Sequence, residues 1–336
     1  MKTSWFIRTL LVSSLLAASA SAQQVTELDR YRPTELATDG FGVGRPTDQG
    51  HLEFSGRVEA SYAHDPLVIE LRTDPSQFIH AVRNHLVLHG VFTLGLWNRL
   101  VVSAGIPASL WMQGDLDAAR AINIPGADGP ALGDVWVGAR VRLFGEKYDP
   151  FALGLAATLS IPTAEFAASS NAYAGAGSFS GHFRLLGEGR FAPWFRAAFD
   201  VGFLARDESG LAYASLGHAL TYGIGLAFPI VHDDAEDRVV LHADLRGSLQ
   251  DLGNPGQAES NSLEALFGIK YHHESGFRIG AAAGPGITRG IGTPDARGVL
   301  MVGWGSPADP TPRLLDADGD GILDENDECP NDPEDV

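Results

Sequence analysis

Cysteine is nearly missing from this 336-residue chain. Cys329 is the only one, which excludes an internal disulfide framework and any zinc cage built on thiolates. Positive charge is also scarce, with 24 lysines and arginines against 42 aspartates and glutamates and a net charge of −18. So acidic a chain makes a poor partner for nucleic acid. Half of the imbalance is local, because residues 309–336 hold eleven acids against Arg313 alone. Long apolar runs are missing as well. A short one, residues 10–18, follows Lys2 and Arg8 and precedes Ala20-Ser21-Ala22, the pattern of a secretory signal peptide over residues 1–22. Gln23 and not a cysteine directly follows that cleavage site, which argues against a lipoprotein. Beyond it nothing approaches the ~20 consecutive apolar residues of a membrane helix, so a mature chain that spans a membrane must do so with strands.

Forty glycines and a period-2 apolar pattern are what the sequence has instead. In residues 133–162, Val135, Val137, Ala139, Val141 and Leu143 alternate with Trp136, Gly138, Arg140 and Arg142. After the polar turn 145–150, Phe151, Leu153, Leu155, Ala157, Leu159 and Ile161 alternate with small residues. Two such runs joined by a short turn read as an antiparallel hairpin. Each arm has about the ~9–11 residues that a tilted strand needs to cross a bilayer. A face of arginines and small residues makes a poor core, so the apolar face is expected toward lipid and the polar face toward a lumen.

The same alternation recurs along residues 51–304 and predicts an all-β fold, a transmembrane antiparallel up-and-down barrel of twelve strands. Residues 51–62 are expected as strand one and 78–94 as strand two, with a long loop over 65–77 between them. Residues 297–304 close the sheet on strand one. Short and long connections alternate, and aromatics gather near strand ends, including Trp97, Trp194, Phe195, Phe228 and Trp304 by short turns and Trp111 and Phe179 by long loops. Both are habits of outer-membrane barrels, whose short turns face the periplasm and whose rims carry aromatic girdles. Arginine on the lipid face costs ~2–4 kcal/mol near the midplane, so the reversed face assignment is prohibitive. The competing fold is a soluble β-sandwich whose apolar faces meet. Residues 23–50, polar and turn-rich, are expected as a periplasmic lead-in.

The polar face collects Arg57, Arg83, Arg99, Arg140, Arg142, Arg184, Arg190, Arg196, Arg246, Lys270 and Arg278 against Glu53, Glu59, Glu188, Asp200, Asp244 and Glu264. Eight strands fill a barrel with side chains and sixteen leave a channel, so twelve leave two readings open: a narrow pore or a salt-bridged plug. If the lumen conducts, its lining predicts anion preference. His85 and His89 have the helical spacing of a zinc pair, but on a strand they lie ~13 Å apart. His272 and His273 point to opposite faces. There is no G-x-S-x-G, P-loop or H-E-x-x-H, and no G-x-G-x-x-G in strand–helix context. No catalytic residue is assigned, and the expectation is a non-enzyme. The alternatives are an outer-membrane lipase or acyl-modifying enzyme, and an adhesin acting through long outer loops.

After the barrel, residues 305–315 form a Pro-rich linker to a calcium loop. Asp316, Asp318, Asp320, Asp324 and Asp327 supply oxygens at positions 1, 3, 5, 9 and 12, Ile322 a carbonyl at position 7, and Gly321 the sharp turn. Calcium tolerates this irregular cage better than magnesium, and the flanking prolines exclude an EF-hand helix pair. The stretch 316–336, DADGDGILDENDECPNDPED onward, resembles a thrombospondin type 3 repeat. In that family the cysteine pairs with one in an adjoining repeat, so the resemblance implies a partner for Cys329 in another chain or beyond Val336. The whole layout resembles the OmpA superfamily of outer-membrane proteins, on the strength of LDRYRP, GHLEFSGRVEASYAHDPLVIE (residues 50–70) and the repeat. That resemblance implies a periplasmic calcium-stabilised spacer, lipid of the outer membrane as one partner, and peptidoglycan as another, reached through a domain absent from this sequence.

Overall fold

The computed structural model describes residues 27–306 except 72–73, 123, 125–128, 147–148, 165–172, 212–213, 233–236 and 251–260. The strands are β1 (Phe54–Leu71), β2 (Asp74–Leu96), β3 (Leu100–Gln113), β4 (Ala131–Leu132), β5 (Val135–Phe144), β6 (Phe151–Ile161), β7 (Ser180–Ala192) and β8 (Phe195–Ala205). They continue as β9 (Ser209–Leu211), β10 (Ala214–Leu216), β11 (Ala219–His232), β12 (Asp237–Leu249), β13 (Asn261–His272), β14 (Phe277–Pro285) and β15 (Ala296–Gly305). Helix α1 (Leu116–Ala121) is short and the one α-helix among the described residues. Each long strand pairs antiparallel with its neighbours in sequence, and β1 pairs with β15 in register from Ser55 opposite Gly305 to His64 opposite Ala296. That seam closes a barrel of twelve strands, with β4 and the β9–β10 hairpin lying in loops. A closed ring leaves no strand edge unpaired in hydrocarbon.

Alternation decides which side chains face out. In β6, Phe151, Leu155, Ala157 and Leu159 are exposed while Ala152, Gly154, Ala156, Thr158 and Ser160 are buried. In β5, Trp136 and Arg140 are buried, while Val137 and Ala139 between them are exposed. The outer belt of Val137, Leu155, Leu159, Phe183, Val201, Ile224, Phe267 and Leu300 is thus apolar and open, far beyond what a water-facing surface carries. At the end with short turns, Phe191, Trp194, Phe195 and Phe228 form a ring chain with centroids 5.3–5.8 Å apart, and Phe54 packs on Trp304 at 5.5 Å. The soluble sandwich is excluded by the closed ring.

Two expectations are corrected. Residues 65–77 are not one long loop, since β1 runs on to Leu71 and β2 begins at Asp74. The Asp65-Pro66 turn signal is absorbed as a bulge, with Asp65 at φ 51° and a register shift between His64 and Leu67. The Asp65 carboxylate meets His80 Nδ1 at 2.7 Å across the hairpin, which holds the bulge inside the ladder. Residues 27–50 are not outside the barrel but run through it. Leu28 N donates to the Tyr173 carbonyl at the long-loop end, whereas Gly50 and Leu52 lie against Gly95 at the short-turn end.

The long-loop end is sealed by an apolar cluster of Leu28, Leu67, Ile79, Val82, Met112, Ala119, Ile124, Tyr173 and Leu216. Each large member gains ~1.5–3 kcal/mol on burial, so the extended β1–β2 hairpin, α1 and the loops cap the lumen with a core of water-soluble type.

Candidate functional site

The lumen wall is built by the inward positions of twelve strands. Arg57, Arg140, Lys270, Arg278, Glu59, Glu188, Asp200, Asp244 and Glu264 are buried there, and Arg142, Arg184, Arg190, Arg196 and Arg246 half-buried. Glu53 sits at the short-turn rim, where its carboxylate accepts the Gly50 N–H at 3.1 Å. Arg83 stands at the opposite rim, 3.4 Å from Asp115. Arg99 is not on the wall. Leu96 pairs with Leu100, so residues 97–99 are the turn itself and Arg99 is exposed. His85 and His89 are buried inward, and His85 Nε2 lies 3.1 Å from Ser109 Oγ. His272 is buried and His273 exposed, on opposite faces.

What fills the wall is the 27–50 segment, and its acids meet the wall's bases. Asp39 accepts from Arg140 at 2.8 Å, with Glu35 Oε2 3.9 Å from the same guanidinium. Glu35 also pairs with Arg184, which holds Asp200 of the wall at 3.0 Å. Asp29 lies 3.1 Å from Arg297, and Asp48 3.2 Å from Arg142. One pairing runs the other way, with Arg45 of the segment gripping Glu188 through two bonds of 2.8 and 3.0 Å. Such bidentate pairs fix geometry as well as charge. Arg140 and Asp39 are wholly screened from water, where losing one partner would strand the other.

The segment's backbone is held from both poles. Lys270 Nζ donates to the carbonyls of Ala37, Asp39 and Gly40 at 2.7–3.2 Å and sits 4.4 Å from the Phe41 ring. Asp244 accepts the Gly42 N–H at 2.9 Å, and Asp200 the Gly44 N–H at 3.3 Å. Gly42 permits this approach, because a Cβ there would fall 2.6 Å from Arg246 Cδ. Wall glycines make the matching room: a Cβ on Gly268 would meet the Phe41 ring at 2.6 Å. Tyr31 is flanked by the guanidinium groups of Arg246 and Arg297, each 5.1 Å from its ring. Attraction of guanidinium to a desolvated ring adds to the hold.

Two small cavities lie beside the segment among the described residues. A cavity of about 30 Å³ lies among Asp29, Tyr31, His85, His89, Ser109, Trp136 and Tyr173, and another of about 10 Å³ beside Val43 and His242. Each has room for about one water and nothing larger. Outside the spanning strands, burial pushes the Tyr173 phenol above its ordinary range and the Arg206 guanidinium below it.

The sequence reading missed Arg297, Asp29, Glu35, Asp39, Arg45 and Asp48. A signal was present: the wall residues read from sequence carry eleven bases against six acids, a surplus that a closed barrel must neutralise from elsewhere. The calcium residues 316–327 lie outside the described residues. Among the described residues no group of three or more His, Cys, Asp or Glu could hold a metal.

No protein-family description matches the chain, and no curated protein does. Solved structures do. An outer membrane channel from Pseudomonas putida F1 has a TM-score of 0.59 at 10% identity, over 77% of this chain and 97% of that one. The NanC porin gives 0.47 at 8%, over 76% and 100%, and the KdgM porin 0.42 at 7%, over 74% and 98%. At these identities likeness speaks for the fold alone, and the channel from Pseudomonas putida F1 carries it. The chain therefore has the fold of an outer-membrane β-barrel channel.

Proposed function

We propose that this protein is a porin-like channel of the outer membrane, closed at rest by its own 27–50 segment. The observation that supports this most is Arg140, fully buried and paired with Asp39 and Glu35 of the segment. Its salt bridges both go to the removable element, as suits a gate. When the segment shifts, the lining has a surplus of guanidinium, so the open state prefers anions.

Planar-bilayer recording tests the reading. Wild type should show rare openings, and Glu35→Gln with Asp39→Asn should raise the open fraction, with reversal potentials on the anion side. Silence in both would make the barrel a closed scaffold, a reading that the many buried pairs also favour.

The carboxy-terminal calcium loop, Asp316–Asp327, remains part of the proposal on sequence alone, as a periplasmic spacer leading toward a cell-wall anchor. Chelation with EGTA should speed proteolysis of residues 305–336 in the full chain while leaving the barrel intact. Unchanged cleavage would remove calcium from the account.

A further inference from the structure

Resting on the channel reading, we propose that the 27–50 segment is a tethered stand-in for the solute, and that the solute is an extended oligoanion carrying oxyanion groups in series. The wall offers bases at successive depths. Arg297 is the second residue of β15 from the long-loop end, Arg184 and Arg140 lie midway along β7 and β5, and Arg142 comes two residues later toward the short-turn end. Arg140 and Arg184 stand level, since both pair across Ala156 of β6.

The segment answers each of these arginines with a carboxylate: Asp29 to Arg297, Glu35 and Asp39 to the middle pair, Asp48 to Arg142. Arg297 and Arg184 keep a wall acid when the segment leaves, Glu264 and Asp200, but Arg140 has no wall carboxylate in reach among the described residues. With the segment gone Arg140 lacks its counter-ions, so a solute that brings anions to the same depths displaces the segment more readily than one that does not. A single small anion satisfies one depth. A chain with several satisfies them together, and once one group binds, the others act at high effective concentration. The groove left by inward glycines such as Gly223 and Gly268, which now receive Val43 and Phe41, suits a slender chain rather than a compact solute.

The test uses full-length protein in lipid vesicles, with Cys329→Ser and Thr38→Cys so that a maleimide reports exposure of the segment. Thr38 is half-buried, and it is its backbone carbonyl that accepts from Arg45, so a side-chain probe disturbs little. Tetraglutamate should speed labelling on the order of tenfold or more over acetate at equal carboxylate concentration. Tetralysine and maltotetraose should leave the rate unchanged. Tripolyphosphate acting alongside tetraglutamate supports a general oxyanion path, and acting in its place assigns the path to phosphates. Equal effects of acetate and tetraglutamate, or any effect of tetralysine, overturn the proposal.

Because labelling needs no substitution in the lumen's ion pairs, a misfolded variant cannot mimic the result. Conductance is read in parallel. Displacement without conductance keeps the oligoanion site and overturns the channel, whereas conductance unaffected by oligoanions keeps the channel and overturns the stand-in.

Discussion

Arg140 shows what one residue decides in this molecule. It is wholly enclosed, and its partners Asp39, Glu35 and the Arg45 carbonyl all belong to the 27–50 segment. Removing it strands the fully buried Asp39 carboxylate, a change that typically costs ~3–5 kcal/mol. Arg140→Ala is therefore expected to lower the heat-unfolding midpoint seen as a gel shift in detergent and to expose the segment to protease. Arg99→Ala, in its exposed turn, should do neither. If the two variants melt together, Arg140 is not holding the segment.

Legibility varied from residue to residue for physical reasons. Arg140 and Arg142 could be assigned inward because ten residues of β5 alternate around them. Arg297 sits one residue into β15, where too little alternation precedes it to fix a face. Arg99 looked like a member of β3 because a tight turn leaves no polar run to announce it.

Among the elements, the barrel strands were written plainly, and the segment was not. A strand facing lipid on one side and water or charge on the other must alternate, so β5 and β6 declare themselves. Residues 27–50 are surrounded on every side by wall, so no period is imposed on them. Their glycines read as turn residues, although Gly42 is needed for close approach to Arg246. Likewise the Asp65-Pro66 pair, a sound turn signal in isolation, was overridden by pairing of β1 with β2 on both sides of the bulge.

The lipid-facing register makes its own prediction. Leu155 lies at the middle of β6 on the outer face. Leu155→Arg should cost ~2–4 kcal/mol of folding stability in vesicles, while Phe151→Arg at the aromatic rim should cost only ~0–1. Urea titration in phospholipid vesicles measures both. Equal costs would mean that β6 does not cross the bilayer at the depth assigned here.

For the molecule as a whole, direction matters. The segment enters at the long-loop end by Tyr173 and leaves at the short-turn end by Gly95. With long loops outward, as in outer-membrane barrels generally, Glu27 lies on the cell's outer side. Glu27→Cys with Cys329→Ser should thus react with a membrane-impermeant maleimide on intact cells, whereas a cysteine at Asn98, in a short turn, should react only after lysis. The reverse pattern would invert the barrel. The twelve-strand ring was legible as a whole because closure follows from strand number and pairing. The occupied lumen was not, since an interior charge surplus says that something must enter but not what.

Threading has a consequence for how the protein is made. A chain that passes from one mouth of a sealed ring to the other is either laid down before the β1–β15 seam zips shut or fed amino end first through a finished hole. A bulky folded reporter spliced just ahead of residue 27 could do the former with its cargo left outside, but would jam in the latter. Whether such a fusion reaches its mature, sealed form would therefore reveal the order of assembly: wrapping around a string, or threading a needle.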